Sequence, residues 1–185
     1  MRFTFLTSID VVDVDINEDG SSTTIVKDEF GNTYNIHAKF IVDSSGFGRV
    51  LPRLLDLEKP SAIPEHSSIF GHVQDINRPE GEEGTLITFD VLDKDTWFWV
   101  IPFSNGHTSI GFVGLNEYID SFEGTTSERL KSMLKDSEYY NDRFKNAPFL
   151  FEPKSIRNYS KAVKKFYGNG FVLTGNSAEF LDVCY

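Results

Sequence analysis

The chain has 185 residues, 39% hydrophobic and 14% aromatic with 17 Phe, which is enough for one ordinary core or for a domain with part of a second, and too apolar for a disordered tail. Lys and Arg number 18 against 28 Asp and Glu, a formal charge of -10 that repels phosphate backbones and anionic membranes, so nucleic acid is not an expected partner. No stretch approaches the roughly 18 to 20 apolar residues of a membrane helix, and MRFTFLTSIDVV lacks the basic region and cleavage site of a leader; the expected location is cytoplasmic.

From Val11 to Asp43 short β-like runs alternate with turn chemistry: VVDVDI, NEDG, STTIVK, DEFGN, TYNIHAKFIVD. The pattern predicts a β-meander, with Asn17 to Gly20 and Asp28 to Asn32 supplying the positive-φ and Asx-turn residues of hairpin loops. Phe40-Ile41-Val42 is continuously apolar, which predicts a strand buried on both faces, as in a parallel sheet. A short helix is expected in VLPRLLDL, ended by Pro60 and Pro64, with a boundary near Lys59 to Glu65.

A second β-rich block follows. SSIFGHVQDI, TLITFDVL, WFWVIPF and HTSIGFVGL read as four antiparallel strands, the last two joined by a Ser104-Asn105-Gly106 hairpin turn. Thr126-Ser127-Glu128 opens the clearest helix, with Leu130, Met133 and Leu134 on one stripe. SEYYNDRFKN extends it or forms a second helix before Pro148, and the segment from Phe149 to Gly168 is read as extended. Gly168-Asn169-Gly170 then turns the chain into FVLTGN.

Two strand-to-glycine junctions carry the chemistry, FIVDSSGFGR and FVLTGN. Each brings the carboxyl end of an apolar strand to small residues, which is where open α/β sheets bind ligands because bare backbone can approach a nucleotide. Asp43 can accept from a backbone amide or a ligand hydroxyl, beside Ser45, Gly46 and Gly48. Either junction alone is also compatible with an ordinary turn. Gly175-Asn176 has two readings: Asn176 caps a short helix, with Glu179 as its partner, or it hydrogen-bonds a phosphate or sugar. Trp97, Trp99 and Ile101 share one face of their strand, as core or as the wall of a flat ligand. His37, His66, His72 and His107 lack the spacing of a metal site, no nucleophile elbow is present, and Cys184 reads as a spectator thiol.

These segments, in this order, resemble the flavin-dependent halogenases and their relatives among FAD-dependent monooxygenases with the hydroxybenzoate-hydroxylase-like fold. FIVDSSGFGRVLPRLLDL is similar to the family's D-x-S-G segment, WFWVIP matches its W-x-W-x-I-P signature, and FVLTGNSAEFLD resembles its second FAD fingerprint, with Asn176 in place of the usual acid. The resemblance implies cofactor contacts at Asp43, Ser45, Gly46, Gly175 and Asn176, and a substrate- or flavin-proximal strand at Trp97, Trp99, Ile101 and Pro102. No G-x-G-x-x-G occurs here. The family's catalytic lysine lies outside this chain, so no catalytic residue is assigned.

The resemblance therefore implies an internal segment of a larger flavoprotein, with an α+β fold. Residues 1–59 and 168–185 would be the β-meander and remnant strands of a Rossmann-like FAD-binding domain, and 60–167 an antiparallel substrate-domain sheet with one or two helices. The parent would use FAD to halogenate or oxidise a small organic substrate. The alternatives are a flavin-dependent reductase of isoprenoid double bonds and a non-catalytic binding module. The chain alone is expected to hold no stoichiometric FAD, and open edges at FIVD and FVLT are expected to favour self-association.

Overall fold

The computed structural model describes residues 4–62 and 64–180; Cys184, together with the rest of the final LDVCY, lies outside them. In chain order the elements are β1 (Ile9–Ile16), β2 (Ser22–Asp28), β3 (Thr33–Ala38), β4 (Ile41–Asp43), α1 (Val50–Leu54), β5 (Glu58–Lys59), β6 (His66–Gln74), β7 (Thr88–Asp93) and β8 (Thr96–Pro102). They continue with β9 (His107–Leu115), α2 (Asn116–Asp120), α3 (Thr126–Met133), α4 (Asn141–Phe144), β10 (Lys154–Arg157), β11 (Ala162–Val163), β12 (Tyr167–Gly168) and β13 (Phe171–Leu173). The class is α+β. The described chain divides into two compact units, one built from residues up to 62 and from 160 onward, the other from 64 to 159.

In the first unit, β1, β2 and β3 form the expected antiparallel meander. Its turns work as the sequence indicates: Gly20 and Gly31 adopt φ of 84° and 89°, and the Asp28 carboxylate accepts from the Phe30 and Asn32 amides at 3.0 and 2.8 Å. The run TYNIHAKFIVD does not remain one strand. It breaks after Ala38, and β4 joins a different sheet of order β12-β13-β4, where it runs parallel to β13.

The expectation that Phe40-Ile41-Val42 is buried on both faces fails, since Phe40 is 53% and Val42 59% exposed. The reason is position: β4 is the edge strand, bonded to β13 alone, while β13 is central and buries Phe171 and Leu173. Of the two strands expected to have open edges, β4 has one among the described residues, whereas the Phe171–Leu173 strand is paired on both sides, with β12 and β4. The unit's core gathers Val14, Leu51, Leu57, Val163, Phe171, Leu173 and Ala178. Residues 160–167, grouped by sequence with the second block, lie in this unit because β11 pairs with β5 and buries both Ala162 and Val163.

The second unit is built on one antiparallel sheet of order β10-β6-β9-β8-β7. The β8–β9 hairpin closes at Ser104–Gly106, where Gly106 has φ 87° and the Phe103 amide donates to the His107 carbonyl at 2.8 Å. Alternation sends Ile69, Val73, Phe98, Val100, Ile110 and Phe112 to the inner face, where they pack with Leu130, Met133, Leu134 and Phe144. Burying side chains of this size is worth about 1.5 to 3 kcal/mol each.

Helix α3 starts at Thr126, and its N-cap is Thr125, the residue just before the expected Thr126-Ser127-Glu128 stretch, in a capping box with Glu128. SEYYNDRFKN does not extend it but forms the separate α4. Helix α2 follows Leu115, which offers no side-chain cap, so no local signal announces it. No described helix is long and apolar enough to cross a membrane.

Candidate functional site

The two glycine junctions come together in the first unit. Parallel pairing sets Leu173 opposite Asp43, so β4 and β13 end side by side. The Thr174 amide donates to the Asp43 carbonyl at 2.8 Å, the Ser177 hydroxyl donates to the same oxygen at 2.7 Å, and the hydroxyls of Ser44 and Thr174 bond at 2.8 Å. Residues 130 positions apart thus form one rim at the carboxyl ends of two parallel strands.

Within that rim each predicted residue has a defined place. The Asp43 carboxylate accepts from the Ser45 amide at 2.7 Å and the Leu51 amide at 2.8 Å, and the residue is only 6% exposed. Of its two anticipated roles, this is the backbone one: it shapes the loop and caps the start of α1. The Ser45 hydroxyl accepts from the Val50 amide at 2.9 Å. Gly46 and Gly175 hold φ of 59° and 55°, and a Cβ at either would meet no atom within 4 Å. Their main chains are bare and approachable, in a conformation that favours glycine.

The cap of the Gly175–Ser177 turn is Thr174 paired with Ser177, not Asn176 with Glu179. The half-buried Asn176 amide is thereby left outside the capping role. A cavity of about 220 Å³ lies along β4, lined by Val11, Val14, Val42, Asp43 and Ser45 among others.

Arg49 is the residue that sequence reasoning missed. It is 6% exposed, sits at φ 45°, and its guanidinium donates to the carbonyls of Asn176, Ser177 and Ala178 at 3.3, 3.4 and 3.3 Å. It also donates to the Ala162 carbonyl at 3.0 Å and the Glu58 carboxylate at 2.9 Å. One cation thus ties the DSSGFGR loop to the turn after β13. Its partners are remote in sequence, so only the arginine's place at the end of a glycine-rich loop hinted at it.

The second unit carries the tryptophan strand. Trp97, Trp99 and Ile101 lie on the outer face and Phe98 and Val100 on the inner, as alternation requires. The outer face is an aromatic ladder: Phe89 to Trp97 at 5.4 Å, Trp97 to Trp99 at 5.7 Å and Trp99 to Phe70 at 6.0 Å between ring centroids. The Trp99 indole lies over Gly111, where a Cβ would stand 2.4 Å from its ring, and it donates to the Ser109 hydroxyl at 3.2 Å. Pro102 ends the strand, half-buried. His72 is held edge-on by Phe103 and Phe151 at 5.0 and 5.1 Å, and the described residues contain no cluster suited to a metal ion.

Glycine turns at the carboxyl ends of paired parallel strands stand where open α/β sheets bind ligands. Comparisons with known proteins indicate which proteins share this arrangement. The 1H-pyrrole-2-carbonyl-[peptidyl-carrier protein] chlorinase of Pseudomonas fluorescens is 27% identical over 181 residues, 94% of this chain and 40% of its own length. The crystal structure of a flavoprotein/dehydrogenase from Cytophaga hutchinsonii superposes with a TM-score of 0.87 at 45% identity, covering 95% of this chain and 42% of that one.

The myxobacterial chondrochloren halogenase CndH, described as a variant of FAD-dependent halogenases, shares the fold with a TM-score of 0.79 at 22% identity, over 95% of this chain and 41% of its own. No protein-family model matches. The homologues and structural neighbours of this chain are flavin-dependent halogenases and flavoprotein dehydrogenases, and it is halogenase-like in sequence and fold. It spans about 40% of the length of these relatives.

Proposed function

We propose that this chain supplies part of the FAD site and part of the substrate side of a halogenase-like, FAD-dependent oxidoreductase acting on a small organic molecule. The observation that carries the reading is the parallel β4–β13 pair, which sets two bare glycine turns next to each other. Main-chain groups around Gly46, Gly175 and Asn176 suit the ribityl-phosphate part of FAD, with the Asn176 side chain as a further contact. Asp43 and Ser45 act by holding the first loop in shape.

Trp97, Trp99, Ile101 and Pro102 form an apolar wall on the flavin and substrate side. Bound FAD, once reduced, supplies the activation of oxygen. The residues of this chain bind, orient and exclude water, and none of its lysines is assigned the chemistry.

The test compares flavins of different length by titration of their fluorescence. Without a G-x-G-x-x-G loop, contacts to the pyrophosphate are few, so FMN and FAD, which share the ribityl phosphate, should bind with similarly weak affinity, and gel filtration should strip FAD from the chain. Gly175→Val should abolish binding of both. Stoichiometric FAD retained through gel filtration, or flavin binding unaffected by Gly175→Val, would overturn this assignment.

A second reading is favoured by the 45% identity to a protein described as a flavoprotein/dehydrogenase. It is a flavin-dependent dehydrogenase or reductase, including one that reduces isoprenoid double bonds. In an active assembly containing this chain, chloride or bromide appearing in the product mass selects halogenation; halide-independent hydride transfer selects the reductase.

A further inference from the structure

A second cavity of the first unit, about 360 Å³ in volume, lies away from the glycine turns. Its walls are the turn after β1, the segment that follows α1 and the turn that leads into β13. Phe171, in its lining, is the first residue of β13, whereas Gly175 comes after the other end of that strand. The two places thus stand at opposite ends of the parallel pair.

Contacts between residues remote in sequence brace the cavity. The Asn169 side chain donates to the Glu18 carbonyl at 2.6 Å, and the Lys164 amide donates to the Leu57 carbonyl at 2.7 Å. Gly170 fits against Gly20 so closely that a Cβ on Gly170 would stand 2.0 Å from the Gly20 carbonyl oxygen. Walls fixed in this way lower the ordering cost of binding a ligand.

The lining divides by chemistry. Leu57 and Phe171 are buried and Ile16 and Leu55 half-buried, which makes an apolar floor, while Asn17, Glu18, Lys165 and Asn169 are exposed around it. Lys165 Nζ stands 5.8 Å from the centroid of the Phe171 ring, over that floor. The adjacent Lys164 is paired with Asp56 at 2.9 Å, but neither Lys165 nor Glu18 has an ion-pair partner among the described residues. Asn17 and Asn169 each spend a side-chain N–H, on Ser21 and on Glu18, and keep a carbonyl oxygen for a further donor.

A cation, a carboxylate and amide oxygens around an apolar floor suit a small molecule that carries both charges and a hydrocarbon group. The net charge of -10 disfavours a simple anion, whereas a zwitterion meets no net repulsion. The volume is at the lower end of the roughly 300 to 1,000 Å³ of small-molecule sites.

We propose that this cavity binds an apolar α-amino acid. Lys165 takes the carboxylate, Glu18 and the side-chain carbonyls of Asn17 and Asn169 take the ammonium, and the apolar floor takes the side chain. The site goes beyond the flavin reading and does not depend on it, since its lining shares no residue with the glycine turns.

Both tryptophans lie in the other unit, so the test follows the assigned isoleucine and leucine methyl resonances of the ¹³C-methyl-labelled full chain. Leucine should move those of Ile16, Leu55 and Leu57 saturably. Isocaproate is leucine without its ammonium and isoamylamine is leucine without its carboxylate; each should bind about 3- to 10-fold more weakly, the worth of one hydrogen bond. Glycine, without the hydrocarbon group, should bind at least about tenfold more weakly. Lys165→Gln, at an exposed position, should weaken leucine about 3- to 10-fold and leave isoamylamine unchanged.

Unmoved methyls of Ile16, Leu55 and Leu57, equal binding of leucine and either singly charged analogue, or an affinity that Lys165→Gln leaves intact overturns the proposal. Displacement of leucine by FMN also overturns it. A chain that binds no FMN at the glycine turns yet shows the leucine response separates the two readings: the flavin assignment falls and the amino-acid site stands.

Discussion

The Asp75 carboxylate accepts two hydrogen bonds from the Arg143 guanidinium, at 3.2 and 2.7 Å, with its side chain fully buried. Thr108 donates to it at 2.6 Å and Arg78 at 3.4 Å, and Arg78 also donates to the carbonyls of Phe103 and His107 beside the β8–β9 turn. Burial alone would raise the Asp75 pKa. The hydrogen bonds from Arg143 and Thr108 and the Arg143 charge outweigh it and hold the carboxyl below its ordinary value of 3.8.

A depressed folded-state pKa means that this stabilisation is fully present above the unfolded value of 3.8 and is lost as pH falls through the lower folded one. Asp75→Asn should cost about 3 kcal/mol at neutral pH, because it leaves buried arginine unpaired. Both tryptophans belong to the second unit, so urea denaturation followed by their fluorescence reads it directly. The gap between wild type and variant should be full at pH 7 and shrink below pH 3.8; a pH-independent gap would refute the account.

Gly111→Ala should be destabilising although it adds one methyl group. Its Cβ would stand 2.4 Å from the Trp99 ring and 2.6 Å from the Phe70 Cβ, both on a packed face. Overpacking of this kind costs about 1 to 3 kcal/mol. Displacement of the indole should also disturb its bond to Ser109, so a shift in tryptophan emission should accompany the loss in the urea midpoint.

Arg49→Met should loosen the turn after β13. It removes donors to four carbonyls and one carboxylate, and hydrogen bonds to charged groups are worth about 1.5 to 3 kcal/mol each. Amide exchange at Thr174, Ala178 and Glu179, whose N–H groups donate to the Asp43 and Gly175 carbonyls, should accelerate at least tenfold. Protection there equal to wild type would show that the turn holds itself.

Val42→Lys tests the open edge of β4. Val42 is 59% exposed, so the substitution should change stability by less than about 0.5 kcal/mol. A charged residue on an exposed strand edge suppresses edge-to-edge pairing. Any concentration-dependent rise in mass seen by sedimentation should fall in the variant; an unchanged oligomer would move the contact elsewhere.

Much of the fold was legible because its signals are local. The meander follows from NEDG and DEFGN, whose glycines supply positive φ, and α3 from the Thr126-Ser127-Glu128 start with the Leu130, Met133, Leu134 stripe, although its N-cap is Thr125. The hairpin at Ser104–Gly106 and the two faces of the tryptophan strand follow in the same way. What misled was the apolar run Phe40-Ile41-Val42, since hydrophobicity alone does not distinguish a central strand from an edge. The brief β5 and β11 and the uncapped α2 exist through pairing and packing rather than propensity.

By itself the sequence determined the alternation, the turn positions and the two glycine junctions, because each is set by the conformational preferences of a few neighbouring residues. Only the tertiary structure decided that the junctions lie on adjacent parallel strands, that Asp43 spends its carboxylate on its own loop, and that Arg49 holds the far turn. Those outcomes depend on which distant groups meet an available donor or acceptor once water is excluded. Strand register and burial fix that, and no short stretch of chain contains either.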